Sequence, residues 1–200
     1  MESRYYLCLG PDKKEFFSLP SRWELKHFVE TQEGVPLPSI EEMTEEALSR
    51  PIGSPSLNEL AYGVRSTTIV VDDATRPTPV KKILRVLLPL LAKAGVAKEK
   101  ITFVIALGTH VPVKQEELEA RLGNDVLSNY TIVQHNAWQE DLVPFSLNDG
   151  QIVKINPHVA RADLKIGISS ILPHPMAGYG GGPKIVMPGV ANFDFIRNHH

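Results

Sequence analysis

Four groups of residues in this chain are of types that do chemistry. His110, in Gly108-Thr109-His110, and His174, in Leu172-Pro173-His174-Pro175, each follow an apolar run, with a proline close behind. Imidazole titrates near neutral pH, so two of them on opposite sides of a carbon centre could exchange protons with either enantiomer. His27, His135 and His158 carry no such context and are read as packed or solvated. The second group is Asp73, Thr75 and Arg76, in Asp72-Asp73-Ala74-Thr75-Arg76-Pro77. A guanidinium pairs in bidentate fashion with a carboxylate or phosphate, and the threonine hydroxyl could serve the same anion. The plainer alternative is that an aspartate caps the next helix while Arg76 pairs with Asp73.

The third group is Gly178-Tyr179-Gly180-Gly181-Gly182-Pro183-Lys184. So many glycines cost backbone entropy and suit a chain that needs positive φ or a close approach to a ligand. The run is neither a phosphate-binding loop, since Pro183 stands where the second glycine belongs and Ile185 follows the lysine, nor a dinucleotide fingerprint. A flexible turn would explain the glycines alone; a lysine after them and a histidine before them favour a site. The fourth group is His199-His200, which reads either as a metal ligand or as the start of a purification tag. It follows Phe193 to Asn198, an uncapped helical pattern, so the chain is expected to be a fragment of something longer.

The elements that position these groups come next. Thr67 to Val71, Ile101 to Leu107 and Leu164 to Ser169 are apolar runs without polar alternation, as strands buried on both faces require. Tyr130 to Val133 is a further strand, and Val143 to Asn156 an antiparallel excursion. Val80 to Ala94 and Gln115 to Leu122 read as helices ending at Gly95 and Gly123. Strands alternating with helices argue for an open, mostly parallel α/β sheet with helices on both faces, and ligands in such sheets bind beyond the carboxyl ends of the strands. His110, Arg76, His174 and Lys184 should therefore share one crevice. Ser39-Ile40-Glu41-Glu42 and Ser56-Leu57-Asn58-Glu59 are capping boxes that start two short helices. Residues 1 to about 36 read as a β-rich start, and 1–66 as an appendage packed on the domain of 67–200.

With 21 Lys and Arg against 23 Asp and Glu, the 200 residues carry a net charge of −2. That offers no electrostatic grip on nucleic acid or anionic lipid. The single cysteine, Cys8, precludes an intrachain disulfide. The longest aliphatic run, Val86 to Ala92, is broken by Pro89 and too short to span a bilayer, so a cytoplasmic protein is expected.

Taken together, Asp72 to Pro79, Gly108-Thr109-His110, Pro173-His174, the run Gly178 to Val190 and the terminal histidines resemble the nickel-pincer-nucleotide enzymes typified by lactate racemase. The resemblance covers most of 67–200. It implies a Rossmann-like N-terminal domain followed by a second α/β domain that is absent from this chain. It further implies a 2-hydroxy acid racemase or epimerase. Its cofactor would be Ni(II) pyridinium-3,5-bisthiocarboxylic acid mononucleotide, attached through Lys184 and supported by Asp73, Thr75, Gly180, Gly181 and Gly182. His110 and His174 would be the acid/base pair, Arg76 the substrate anchor and His200 the nickel ligand, with His199 as the alternative because it directly follows Asn198. Proteins that build and insert the cofactor would be partners. The chemistry suits the parts: the C–H of a hydroxy acid is too weakly acidic for proton abstraction, so hydride removal and return, with one imidazole moving the hydroxyl proton, is the better route. A non-catalytic domain binding a phosphorylated small molecule is the competing class, and an NAD-dependent oxidoreductase a third, disfavoured by the missing fingerprint.

Overall fold

The computed structural model describes residues 4–8, 14–27, 36–174 and 178–199. The chain divides into two compact units between Leu37 and Pro38. In the first, β1 (Arg4–Cys8) and β2 (Lys14–Ser18) form an antiparallel hairpin with Tyr5 opposite Phe17 and Tyr6 opposite Phe16. The second unit begins with α1 (Ile40–Ser49) and α2 (Leu57–Ala61). Both start at the expected capping boxes: Ser39 and Ser56 accept from the amides of Glu42 and Glu59, whose carboxylates reach back to the cap amides. The two helices belong with the α/β unit, since Leu48 and Leu57 pack against its core.

The rest of the second unit runs β3 (Thr67–Asp72), α3 (Val80–Lys93), β4 (Ile101–Ala106), α4 (Gln115–Leu122), α5 (Asn124–Asn129), β5 (Thr131–Gln134), β6 (Val143–Ser146), β7 (Ile152–Ile155), α6 (Pro157–Arg161), β8 (Leu164–Ile168), β9 (Leu172–His174), β10 (Gly178–Gly180) and α7 (Phe193–His199). Strands β5-β4-β3-β8 form a wholly parallel sheet in that order, while β6-β7 and β9-β10 are separate antiparallel pairs. The expected open α/β sheet is thus present.

All six residues of β3 are buried, which explains the absence of polar alternation in its sequence. Its side chains point alternately to the two faces. Ile69 and Val71 meet Phe103, Ile105 and the stripe Val80, Leu84, Leu87 and Leu91 of α3, with Leu118 and Leu122 of α4. Val70 and Val104 meet the other face, made of Val153, Val159, Ile185, Val190, Phe195 and Ile196. Strand order matters for function: the chain steps outward from β3 through β4 to β5, then returns to the opposite side of β3 as β8. That reversal opens a crevice beyond the carboxyl ends of β3 and β8. Among the described residues no helix is long and apolar enough to cross a membrane.

Candidate functional site

A cavity of about 360 Å³ lies at this reversal, within the range that takes a small molecule. Its walls are the ends of four elements. Asp72, Asp73 and Arg76 come from the turn after β3, and Leu107 to His110 from the turn after β4. Ser169, Ser170 and His174 follow β8, and Gly180, Gly181, Lys184 and Gly189 belong to the segment leading to α7. The residues singled out from sequence therefore meet at one place, with three qualifications. Thr75 does not line the cavity: its hydroxyl donates to Asp73 (2.5 Å). Gly182 is also off the wall, its amide donating to the Ser169 hydroxyl (3.0 Å). His200 lies outside the described residues, and of His199 only the backbone, at the end of α7, is described.

His110 is held by a buried carboxylate. Its Nδ1 donates to Asp73 Oδ2 (2.5 Å), while Asp73 Oδ1 accepts from the amide (2.8 Å) and hydroxyl of Thr75. A carboxylate only accepts, so this contact places the ring proton on Nδ1 and leaves Nε2 as the basic nitrogen. The imidazole is about half exposed, at 48%, and lines the cavity. Burial alone would raise the Asp73 pKa; the hydrogen bonds from Thr75 and His110 outweigh it and hold the carboxyl below its ordinary value.

The plainer reading of these aspartates does not apply. The helix after the turn is capped at Pro79 without a side-chain hydrogen bond, and Asp73 is committed to His110. Among the described residues Arg76 has no hydrogen bond or ion pair from its guanidinium, which borders the cavity half-buried. Asp72 instead pairs with Arg121 of α4, in a contact where both side chains are nearly buried. Arg121 lies in the helix expected over Gln115 to Leu122 and is not among the candidate residues read from the sequence. The signal was present: it stands three residues after Leu118 and beside Leu122, both buried, so it lies on the apolar face of α4. Gln134 was missed likewise; its amide accepts from the Val113 amide (2.6 Å) and donates to the Val113 carbonyl (3.0 Å), anchoring the turn that carries His110.

The glycine run also has a definite shape. Gly181 has φ +76°, and a Cβ there would stand 2.1 Å from the Ser170 carbonyl oxygen. The close approach that demands glycine is thus to the chain's own backbone. It presses the β8 end against the turn Gly182–Ile185, on which Lys184 sits. From there Gly189 accepts from the Gly108 amide (2.8 Å), Val190 from the Asn156 amide (3.0 Å), and Asn192 bonds Lys154 (2.8 Å), stitching the run of turns before α7 to the core. Ile196 of α7 lines the cavity, and the His199 backbone follows three positions later, on the same helical face. Among the described residues no three His, Cys, Asp or Glu stand close enough to hold a metal ion.

Residues 11–200 match the lactate racemase N-terminal domain family. Lactate racemase of Lactiplantibacillus plantarum is 37% identical over 164 residues, 81% of this chain and 38% of that protein. Lactate racemase of Thermoanaerobacterium thermosaccharolyticum is 33% identical over 167 residues, again 81% of this chain and 38% of the relative. The structure of the lactate racemase apoprotein from Thermoanaerobacterium thermosaccharolyticum superposes with a TM-score of 0.77 at 30% identity, covering 97% of this chain and 45% of that one. The chain thus spans less than half the length of the relatives it matches.

Proposed function

Since the chain belongs to the family of lactate racemase N-terminal domains, we propose that it supplies one wall of the active site of a 2-hydroxy acid racemase of the lactate type. The observation that carries this reading is the gathering of Arg76, the Asp73–His110 pair, His174 and Lys184 around one cavity at the strand reversal. Arg76 anchors the substrate carboxylate through its guanidinium. His110 Nε2 takes the hydroxyl proton of one enantiomer, with Asp73 holding the ring and balancing the charge it gains. His174, on β9, does the same for the other enantiomer, so each direction of the reaction uses one imidazole as base and the other as acid.

The residues present fit the nickel-pincer nucleotide. Lys184 lines the cavity, the backbone of Gly180 and Gly181 leaves no side chain beside it, and the segment leading to α7 ends in the histidine pair. Lys184 would carry the covalent link, and His200, or His199 in its place, the metal bond. When bound, the group would supply a hydride acceptor and donor for the substrate carbon. Residues 67–200 form the catalytic part of this proposal, with cofactor-building proteins as partners.

Peptide mapping and metal analysis of the full-length protein, made in a host able to build the cofactor, test the reading. The adduct is expected on Lys184 with nickel present, absent from Lys184→Ala, whose fold survives. Interconversion of lactate enantiomers is expected to stop in both His110→Ala and His174→Ala. An adduct on another lysine, or parental racemisation in His174→Ala, refutes it.

A further inference from the structure

We propose that Arg121 is a positioning residue for this reaction, setting the Arg76 turn from behind the cavity wall through Asp72. Arg121 does not itself line the cavity. Its guanidinium is nearly buried and spends three donors on one short turn. Nε donates to the Asp72 carbonyl (2.7 Å), Nη1 to the Arg76 carbonyl (3.0 Å), and Nη2 to Asp72 Oδ1. The two carbonyls bracket the turn that carries Asp73 and Arg76, so a planar fork fixes its span from one side chain. Inside that span Arg76 N donates to the Asp73 carbonyl (3.2 Å) and Thr75 N to Asp73 Oδ1 (2.8 Å).

The same pair reaches the opposite wall. The second oxygen of Asp72 accepts from the Thr78 hydroxyl (2.5 Å) and the Ser170 amide (3.3 Å), and Ser170 N also donates to Thr78 Oγ1 (2.8 Å). The Ser170 carbonyl is the group pressed against Gly181, three residues before Lys184. One buried ion pair therefore sets the separation between the carboxylate anchor and the lysine-bearing turn. A lysine at 121 would keep the charge but, as a point donor, could not serve two carbonyls and a carboxylate together.

The inference rests on Arg76 being the carboxylate anchor, and the test separates the two. In the full-length protein, Arg121→Lys, Arg76→Lys and the double variant are compared by amide exchange without substrate and by lactate racemisation. In Arg121→Lys the Thr75 and Arg76 amides should exchange about tenfold faster while β3 and β4 keep their protection. The KM for lactate should rise about tenfold with a smaller change in kcat. The double variant should be no worse than Arg76→Lys, because a residue acting through Arg76 has nothing left to position. Parental exchange in the turn, loss of protection spread through β3 and β4, or fold-losses that simply multiply would each overturn the role. Parental kinetics in Arg76→Lys alone would overturn the anchor reading, and this inference with it; that single variant tells the two failures apart.

Discussion

Asp73 and His110 show how much a single hydrogen bond decides at the scale of one residue. With Nδ1 committed to a buried carboxylate, the imidazole offers Nε2 to a substrate and can take a proton without rotating. Asp73→Asn keeps the shape, but an amide can donate to Nδ1 and favour the tautomer with its proton on Nε2, where it blocks proton abstraction. Expected is a fall in kcat for lactate of about a hundredfold or more, the scale of a lost general base. Steady-state kinetics on the full-length enzyme would show it, and a kcat within a few-fold of the parent would mean that Asp73 does not orient the base. The carboxyl itself stays ionised through the neutral range. Its pKa is lowered, so the stability it contributes is present above the ordinary carboxylate value of about 4 and is lost as pH falls through its folded value. Histidine, arginine and lysine at strand ends are legible in the sequence because the ends of buried strands are where ligands bind. Arg121 is not legible in the same way, since its partners lie 45 and 49 positions away and only the folded sheet brings them near.

At the scale of elements, the runs that became β3, β4 and α3 were readable because burial on both faces, or on one helical stripe, leaves a period in the sequence. The hairpin β9–β10 left none: three residues a side, with Pro173 and two glycines among them, carry no strand propensity. Its pairing of His174 with Gly178 comes from the tertiary structure. The short helix α5 was likewise hidden behind Gly123, which ends one helix and begins the next. Gly181 belongs to this scale because it governs how two elements meet. Replacing it with alanine should incur both the positive-φ strain of about 1–2 kcal/mol and a collision with the Ser170 carbonyl. Gly150, with φ +82° and open space where its Cβ would go, isolates the first cost. Urea unfolding should therefore rank Gly181→Ala well below Gly150→Ala in stability, and equal losses would show that the contact between β8 and the lysine-bearing turn yields at no cost.

For the molecule as a whole, the sheet separates two cores, and only one of them adjoins the segment that bears Lys184. The face of α3 and α4 is apolar packing; the other face is closed by the segment from Ile185 to Ile196, which passes the cavity on its way to the terminal histidines. Within that closure is a buried imidazole, His135, one of the histidines expected from sequence to be packed or solvated. Its Nε2 donates to the Ala191 carbonyl (2.9 Å) and its Nδ1 faces the Asn156 amide (3.4 Å), while the Asn156 backbone amide donates to Val190. Burial pushes its pKa down; the bond to Ala191 opposes that and does not prevail. The unfolded chain therefore binds this proton more readily than the folded one. The neutral ring's contribution is complete above the unfolded value of about 6.5 and is lost as pH falls toward the folded value, with a slope of up to about 1.4 kcal/mol per pH unit. The lowered carboxyls such as Asp73 act only at more acid pH, so this window belongs to histidine. Glutamine at 135 can keep the donor to Ala191 without titrating. Unfolding free energies measured from pH 7.5 down to pH 5.5 should fall more steeply in the parent than in His135→Gln, the two converging or crossing at the acid end. Parallel pH profiles would show that His135 binds its proton equally well in the folded and unfolded chain, and that its burial against Ala191 sets no pH dependence.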